Sequence, residues 1–304
     1  MKKFQSLRRV YYGLDTWKEL CLRIPLRFAR FFGKNTFANI YTDAHVRRLA
    51  EKFTTKDCIK IKDAKLPLLD EEHEYWFWMG MWEDTFASYY YFNDRYDEKT
   101  VRLCEGFLGE GLYGCVNDKV NVQVNPGDIV IDAGSWIGDF AAYASAVGGG
   151  VTFAFEPSER NFNYLQQTAK LNKNIIPVKK GLSNKTATQK FFINTDSNTG
   201  ADSMMDKSDD KNFEVNSNIV ETITLDDFVK ENNLGRVDFI KADIEGFERN
   251  MLQGAQDTLK NFAPKLALCT YHLPDDPEVM SNLIMQANPN YKIVFGKMKL
   301  YASV

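Results

Sequence analysis

Four short clusters hold the residues best suited to chemistry. They are Asp132-x-Gly134-x-x-x-Gly138, Glu156-Pro157, Asp243-x-Glu245-Gly246-x-Glu248 and Tyr271-His272. Each follows a short apolar run. If those runs are parallel strands, all four clusters fall on one edge of the sheet, where open α/β folds bind ligands. Strand-ending acids that merely cap the next helix explain one or two of the clusters, not the joint pattern. Glycine lets the first turn approach a ligand closely or take a positive φ. Glu156 lies 18 residues beyond Gly138, and a carboxylate there can accept hydrogen bonds from both hydroxyls of a ribose. The candidate cofactor contacts are Asp132, Gly134, Ser135, Trp136, Gly138, Glu156, Pro157, Ser183 and Asp243.

A ribose implies an adenosine-type cofactor. The glycine spacing is GxxxG, not the GxGxxG that cradles a pyrophosphate. A Walker A loop is absent as well: before Gly33-Lys34, Phe28 occupies the place of the first glycine, and Asn35 follows where Ser or Thr is required. S-adenosylmethionine has a ribose and an adenine but no phosphate, so it fits better than NAD or ATP. Its sulfonium already carries the hard chemistry. The protein must align a nucleophile and, for a hydroxyl, remove a proton. Asp243, Glu245 and His272 are the candidate catalytic residues, with Glu248 beside them. Glu245 and Glu248 share a face if the following helix starts that early. His272 is one of three histidines and suits a base; a structural loop histidine is the other reading. The same Asp/Glu/His group, with Asp275 and Asp276 nearby, can instead hold a divalent metal. That reading is secondary, and residue types alone do not separate base from ligand. His45 and His73 lie outside any motif and are read as surface residues, and Glu71 to Glu74 as a solvated turn.

The elements that position these groups follow from periodicity. From Val124 onward, short apolar runs alternate with helical patterns, the sign of a parallel βαβ sheet. Strands are predicted at 128–131, 151–155, 175–178, 237–241 and 266–269. Helices are predicted at 140–147, 160–171 and from Phe247 to Leu259. Thr224, with Asp227 at N3, starts another helix. A helix near 279–286 precedes two last strands, 291–295 and 299–302, spaced for a hairpin at Gly296. Residues 184–222 interrupt the alternation and read as a surface insertion: a hairpin with a mobile loop near 198–210.

The whole chain has 304 residues and a net charge of −3, with 44% hydrophobic residues. That argues against disorder and against a protein that coats nucleic acid. No apolar stretch approaches the ~18 residues of a spanning helix. Five scattered cysteines with no CxxC pair disfavour a disulfide scaffold or a cysteine zinc site and make a reducing cytosol the default. Charge is uneven, however. Residues 1–34 carry nine bases against two acids, +7, which leaves −10 for the rest. This stretch lacks the features of a signal peptide. It reads first as an ordinary packed helix and second as a basic amphipathic helix touching anionic lipid. Ten aromatics fall within residues 75–92. Packing or a subunit contact is the first reading for them, a sugar-binding platform the second. One more helix is predicted at 98–113.

The runs Asp128-Ile-Val-Ile-Asp-Ala-Gly-Ser-Trp-Ile-Gly138, Phe155-Glu-Pro-Ser158, Ile223-Thr-Leu-Asp-Asp-Phe228 and Val237-Asp-Phe-Ile-Lys-Ala-Asp-Ile-Glu-Gly-Phe-Glu248 resemble the FkbM-type methyltransferases. Tyr271-His272 and Tyr291 to Gly296 are similar to that family too. The resemblance covers roughly residues 120–304, and Lys-x-Asp-x-Glu-Gly-x-Glu is its most specific piece. It implies a class I methyltransferase (Rossmann-like) α/β fold: a seven-stranded, mostly parallel sheet with an antiparallel last strand. It also implies S-adenosylmethionine and O-methylation, usually of a sugar hydroxyl in a glycan, glycolipid or natural product. Many members have Ala-Asn where this chain has Ser135-Trp136, so an indole is expected to reshape the cofactor entrance. The chain is thus expected to comprise a mainly helical N-terminal region, 1–120, with a part in substrate choice or membrane contact, and a methyltransferase domain, 121–304. A cytoplasmic enzyme is expected, with membrane association at the inner face and homo-oligomers as further options. A polyketide-like or phenolic acceptor and a catalytically silent binding scaffold are the alternatives.

Overall fold

The computed structural model describes residues 50–51, 53–80, 113–148, 150–195, 198–296 and 298–304. The basic segment 1–34, His45, most of the aromatic cluster and nearly all of the helix predicted at 98–113 lie outside the described residues.

The centre is a seven-stranded sheet. Its strands are β5 (Ile129–Ala133), β6 (Val151–Phe155), β7 (Ile175–Val178), β11 (Phe239–Ala242), β12 (Lys265–Cys269), β13 (Lys292–Phe295) and β14 (Lys299–Ser303). Their order across the sheet is β13-β14-β12-β11-β5-β6-β7. β12, β11, β5, β6 and β7 pair in parallel. β14 runs antiparallel to both β12 and β13, as the hairpin spacing predicts. Sheet order reverses beside β5, between β11 and β6. The Gly134 turn lies there, at the switch point where such sheets leave a crevice.

Helices α2 (Asp139–Ala146), α3 (Glu159–Leu171), α4 (Leu225–Glu231), α5 (Glu248–Gln253), α6 (Gln256–Phe262) and α7 (Asp276–Ala287) connect the strands. One face of the sheet buries Ile131, Phe153, Ile240 and Leu268 against Phe228, Leu252, Leu259 and Ile284. The other buries Val130, Phe239 and Ala267 against Phe140 and Ala144. Such two-sided burial is why the strands read as continuous apolar runs rather than alternating ones. Thr224 Oγ1 accepts from Asp227 N at 2.9 Å, the predicted cap. The helix predicted from Phe247 to Leu259 is instead two short helices, broken at Gly254-Ala255. A Cβ on Gly254 would stand 2.1 Å from the Ser183 carbonyl oxygen, so the chain passes too close there for an ordinary helix residue.

The insertion forms a three-stranded sheet of β8 (Gly181–Leu182), β10 (Phe213–Ile223) and β9 (Ala187–Asn194), in that order. The expected surface loop near 198–210 is in part interior. Thr199, Ser203, Asp202 and Met204 are buried. Phe192 and Ser203 exchange backbone hydrogen bonds, and Arg160 forks onto the Asp202 carboxylate.

The described part of residues 1–120 is not mainly helical. It holds the hairpin β1 (Ile59–Ile61)–β2 (Ala64–Leu66), helix α1 (Glu71–Gly80) and β3 (Cys115–Val116), which pairs with β4 (Asn121–Val122). A division at residue 120 falls inside the second hairpin, whose Val120 and Val122 share a core with Val130 and Phe239. No helix among the described residues is long and apolar enough to cross a membrane.

Gly134 has φ +72°, and a Cβ there would stand 1.9 Å from the Asp243 carbonyl oxygen. Backbone cannot yield as a flexible side chain can. Gly134→Ala should therefore destabilise the chain by about 3 kcal/mol, read as a lower urea midpoint at unchanged slope.

Candidate functional site

The first turn is tied to the second strand before any side chain enters. Gly134 and Ser135 both donate their N–H to the Phe155 carbonyl, at 3.1 and 2.9 Å. Ser135 Oγ closes the turn on the Asp132 carbonyl. Trp136 takes a left-handed backbone, φ +48°, which is rare for a bulky residue. That conformation aims its N–H at Glu156 Oε2, 2.9 Å away, while Ser158 N donates to Glu156 Oε1. Glu156 is thereby fixed at the tip of β6.

Asp132 does not reach the cavity. It is fully buried, and the equally buried Lys241 stands 3.0 Å from its Oδ1. Lys241 Nζ also donates to the carbonyls of Ala133 and Gly134. Gly138, φ +85°, stands at the N-terminus of α2, against Leu165 and Thr168 of α3. Ser183 is buried and accepts from Gln189; its neighbours Gly181 and Leu182 face the cavity instead. That cavity holds about 470 Å³ of open space and is lined by Gly134, Trp136, Glu156, Pro157, Asp243 and Glu245, among others. Asn161, Phe191, Gly200, Asp202 and Met204 complete its wall. Sequence reasoning missed these five, four of which belong to the insertion.

Asp243, Glu245 and His272 come together. Each offers a ligand-type atom, and these atoms lie within 4.8 Å of one another. Asp243 Oδ2 accepts from Tyr113 and Oδ1 from Tyr271, at 2.9 and 3.1 Å. Burial works to raise its carboxyl, but Lys241, His272 and Lys299 outweigh burial and hold it below the usual range. Burial pushes Glu245 up. α5 starts at Glu248, so Glu245 stays outside it, on a left-handed turn at φ +54°. Both acids still face His272, whose Nε2 is 3.5 Å from Glu245 and whose Nδ1 is 3.3 Å from Glu248. Burial works against the imidazolium, yet Glu245 and Glu248 prevail and push His272 up to about 10. Asp275 and Asp276 turn away to Arg249.

His73 is a correction. It is buried, on the inner side of the first turn of α1, while Glu71 and Glu72 on that turn are exposed as expected. Its ring lies 2.8 Å from Asp70 Oδ1 and 3.0 Å from Asn161 Oδ1, and stacks toward Trp136 and Tyr164. Asp70 is a local partner, but Trp136, Asn161 and Tyr164, which enclose the ring, lie 63 or more residues away, so no local pattern announces its burial.

With this geometry in hand, residues 131–292 match the model of the methyltransferase FkbM domain, more than half of the chain. The chain belongs to the FkbM methyltransferase family. It is 25% identical over 167 residues to the hexuronic acid methyltransferase AglP of Haloferax volcanii, covering 55% of this chain and 65% of that protein. The crystal structure of methyltransferase FkbM from Methylobacillus flagellatus KT superposes with a TM-score of 0.47 at 18% identity, covering 89% of this chain and 60% of that one. Aeropyrum pernix fibrillarin with bound S-adenosyl-L-methionine gives 0.38 at 12% identity, covering 63% and 71%. The chain thus spans under two thirds of the first two relatives.

Burial pushes the Glu156 carboxyl of this FkbM-family chain up to about 8, against the pull of the two backbone donors. An unfolded glutamate titrates near 4.5. Between these values the folded state binds the extra proton, so stability falls as pH rises from about 4.5 to 8. Glu156→Gln cannot titrate. Melting temperature should fall less steeply across that window for the variant than for the parent chain.

Proposed function

We propose that the chain is an S-adenosylmethionine-dependent O-methyltransferase with a class I methyltransferase fold, acting on a sugar hydroxyl, with a uronic acid as the favoured acceptor. The observation that carries this reading is one cavity with two unlike acidic ends. At one end stands Glu156, with Asp202 nearby, its oxygens fixed by backbone donors but with lone pairs free for a ribose diol. At the other end Asp243, Glu245 and His272 form a polar cluster. Phe155, Pro157, Leu182, Met204 and Ile244 supply apolar wall between them, which suits an adenine. The residues present therefore fit a cationic cofactor with a ribose and no phosphate.

When bound, S-adenosylmethionine supplies an electrophilic methyl group. Everything else falls to the chain. Glu156 and the Gly134 turn orient the nucleoside end. Asp243, clamped by two tyrosines, keeps its charge fixed toward the reacting centre, where preorganised charge is most effective. Glu245, which lines the cavity, receives the acceptor hydroxyl's proton, and His272, kept protonated by its acidic neighbours, holds that carboxylate in place. Trp136 and the 198–204 segment restrict water at the cavity wall. Family membership supports methyl transfer, and the hexuronic acid methyltransferase among its relatives supports a sugar acceptor.

Calorimetry should show saturable binding of S-adenosylmethionine and none of NAD; the absence of the former ends this reading. With a uronic-acid oligosaccharide as acceptor, Asp243→Asn and His272→Ala should lower turnover ~10²–10⁴-fold. Cofactor affinity should change far less. Glu156→Ala should do the reverse. Normal rates in both catalytic variants would reject the assignment.

A further inference from the structure

We propose that Asp243, Glu245 and His272 form a binding site for one divalent first-row metal ion at the acceptor end of the cavity. His272 Nε2 lies 3.5 Å from Glu245 Oε2 and 3.8 Å from Asp243 Oδ1. Those spacings are too long for hydrogen bonds. They suit ligands of a shared ion: two donors each about 2.15 Å from a metal, at an angle of about 110°, stand about 3.5 Å apart. The ion's ligand set would be two carboxylates and one imidazole, with the cavity side left open.

A second observation concerns His272 itself. Its side chain is 8% exposed. Among the described residues, neither ring nitrogen has an aligned hydrogen-bond partner. A buried polar ring without such partners is uncommon and calls for a ligand or an ion. The ring is also braced from behind. Nδ1 faces Glu248, whose carboxylate is buried and is itself held by the N–H groups of Ile244 and Gly246. A carboxylate behind one imidazole nitrogen, with the other nitrogen facing acidic oxygens, is the arrangement that orients a metal-ligating histidine. Asp243 is braced in the same way by Tyr113 and Tyr271. Asp243 and Glu245 are both about a quarter exposed and both line the cavity.

The mixed oxygen and nitrogen donor set suits Mn²⁺, Fe²⁺, Co²⁺ or Zn²⁺ better than Mg²⁺ or Ca²⁺. An acceptor hydroxyl occupying an open position would lose its proton to solvent more readily. That role rests on the methyl-transfer reading; the ion site does not.

The test uses the full chain, stripped with a chelator and dialysed, then titrated with Mn²⁺ while free Mn²⁺ is read by electron paramagnetic resonance. One ion per chain is expected. Glu245→Gln and His272→Gln should each weaken binding at least ~10-fold, and Glu248→Gln ~10–100-fold. Asp209→Asn, an exposed acid outside the cluster, should leave it unchanged. Failure of the parent chain to bind Mn²⁺ saturably overturns the proposal, as does binding that Glu245→Gln and His272→Gln both retain. Should His272→Gln melt at the assay temperature, Glu245→Gln decides. S-adenosylhomocysteine binding is measured on the same metal-free protein. If that binds and Mn²⁺ does not, the ion site alone fails. If Mn²⁺ binds and the nucleoside does not, the ion site stands and the cofactor reading fails.

Discussion

The buried pair of Lys241 with Asp132 is the constraint on which the site depends. Lys241 sits on β11 and Asp132 on β5, neighbours across the switch point. Burial alone would drive the lysine toward neutrality, but Asp132, Asp243 and Asp139 raise its pKa. Its Nζ reaches the carbonyls of Ala133 and Gly134 as well, so one cation fixes the end of β5, the start of the glycine turn and the field at Asp243. Removing either member of a buried pair strands the other and typically costs about 3–5 kcal/mol. Here the loss would also free the turn that holds Trp136 and Glu156. Stability and site geometry therefore share one interaction.

Around that pair the cavity is closed by pieces distant in sequence. Arg160 of α3 holds Asp202 of the insertion, and Ser158 Oγ donates to the same carboxylate. Trp136 Nε1 donates to Thr199 Oγ1, and Asn161 Nδ2 to the Thr199 carbonyl. Asn161 Oδ1 then faces His73 of α1. A chain of polar contacts thus runs from α1 through α3 and the insertion to the Gly134 turn. The indole at position 136 is held at both its backbone N–H and its ring N–H, so it forms a fixed wall.

What was legible in the sequence follows from range. Apolar runs buried on both faces announced β5, β6, β11 and β12, and the residues that end them announced Glu156, Asp243 and Glu245. The Thr224 cap and the last hairpin are local signals and read correctly. Asp132 was read as a strand-end acid for the cofactor, but its partner Lys241 lies 109 residues away, and it stands beside that lysine rather than in the cavity wall. The 198–204 segment looked like solvent-exposed loop because its composition is polar. Its polar groups are satisfied by Arg160, Ser158 and Asn161, which no local pattern announces. His73 was misplaced for the same reason. Gly254 read as an ordinary helix residue because the carbonyl it approaches belongs to residue 183.

The two ends of the cavity show how one functional group, the carboxyl, is given two behaviours by its surroundings. Glu156 is buried with the Asp202 carboxylate nearby, so its carboxyl holds its proton well above the ordinary range. Such a group can donate as well as accept, which matches a diol of hydroxyls. Asp243 is only partly buried and lies within the field of Lys241, His272 and Lys299, and its carboxyl is held down. Two phenol hydroxyls fix its orientation. Were the two environments exchanged, the carboxyl between Tyr113 and Tyr271 would be the neutral one and the carboxyl at the tip of β6 the charged one. The position of Lys241, one residue inside the tip of β11 and across from β5, prevents that exchange: its charge reaches Asp243 strongly and Glu156 only weakly, where it is the last of the named influences. The asymmetry of the site therefore follows from where the cations stand: Lys241, His272 and Lys299 act together on Asp243, whereas burial prevails at Glu156.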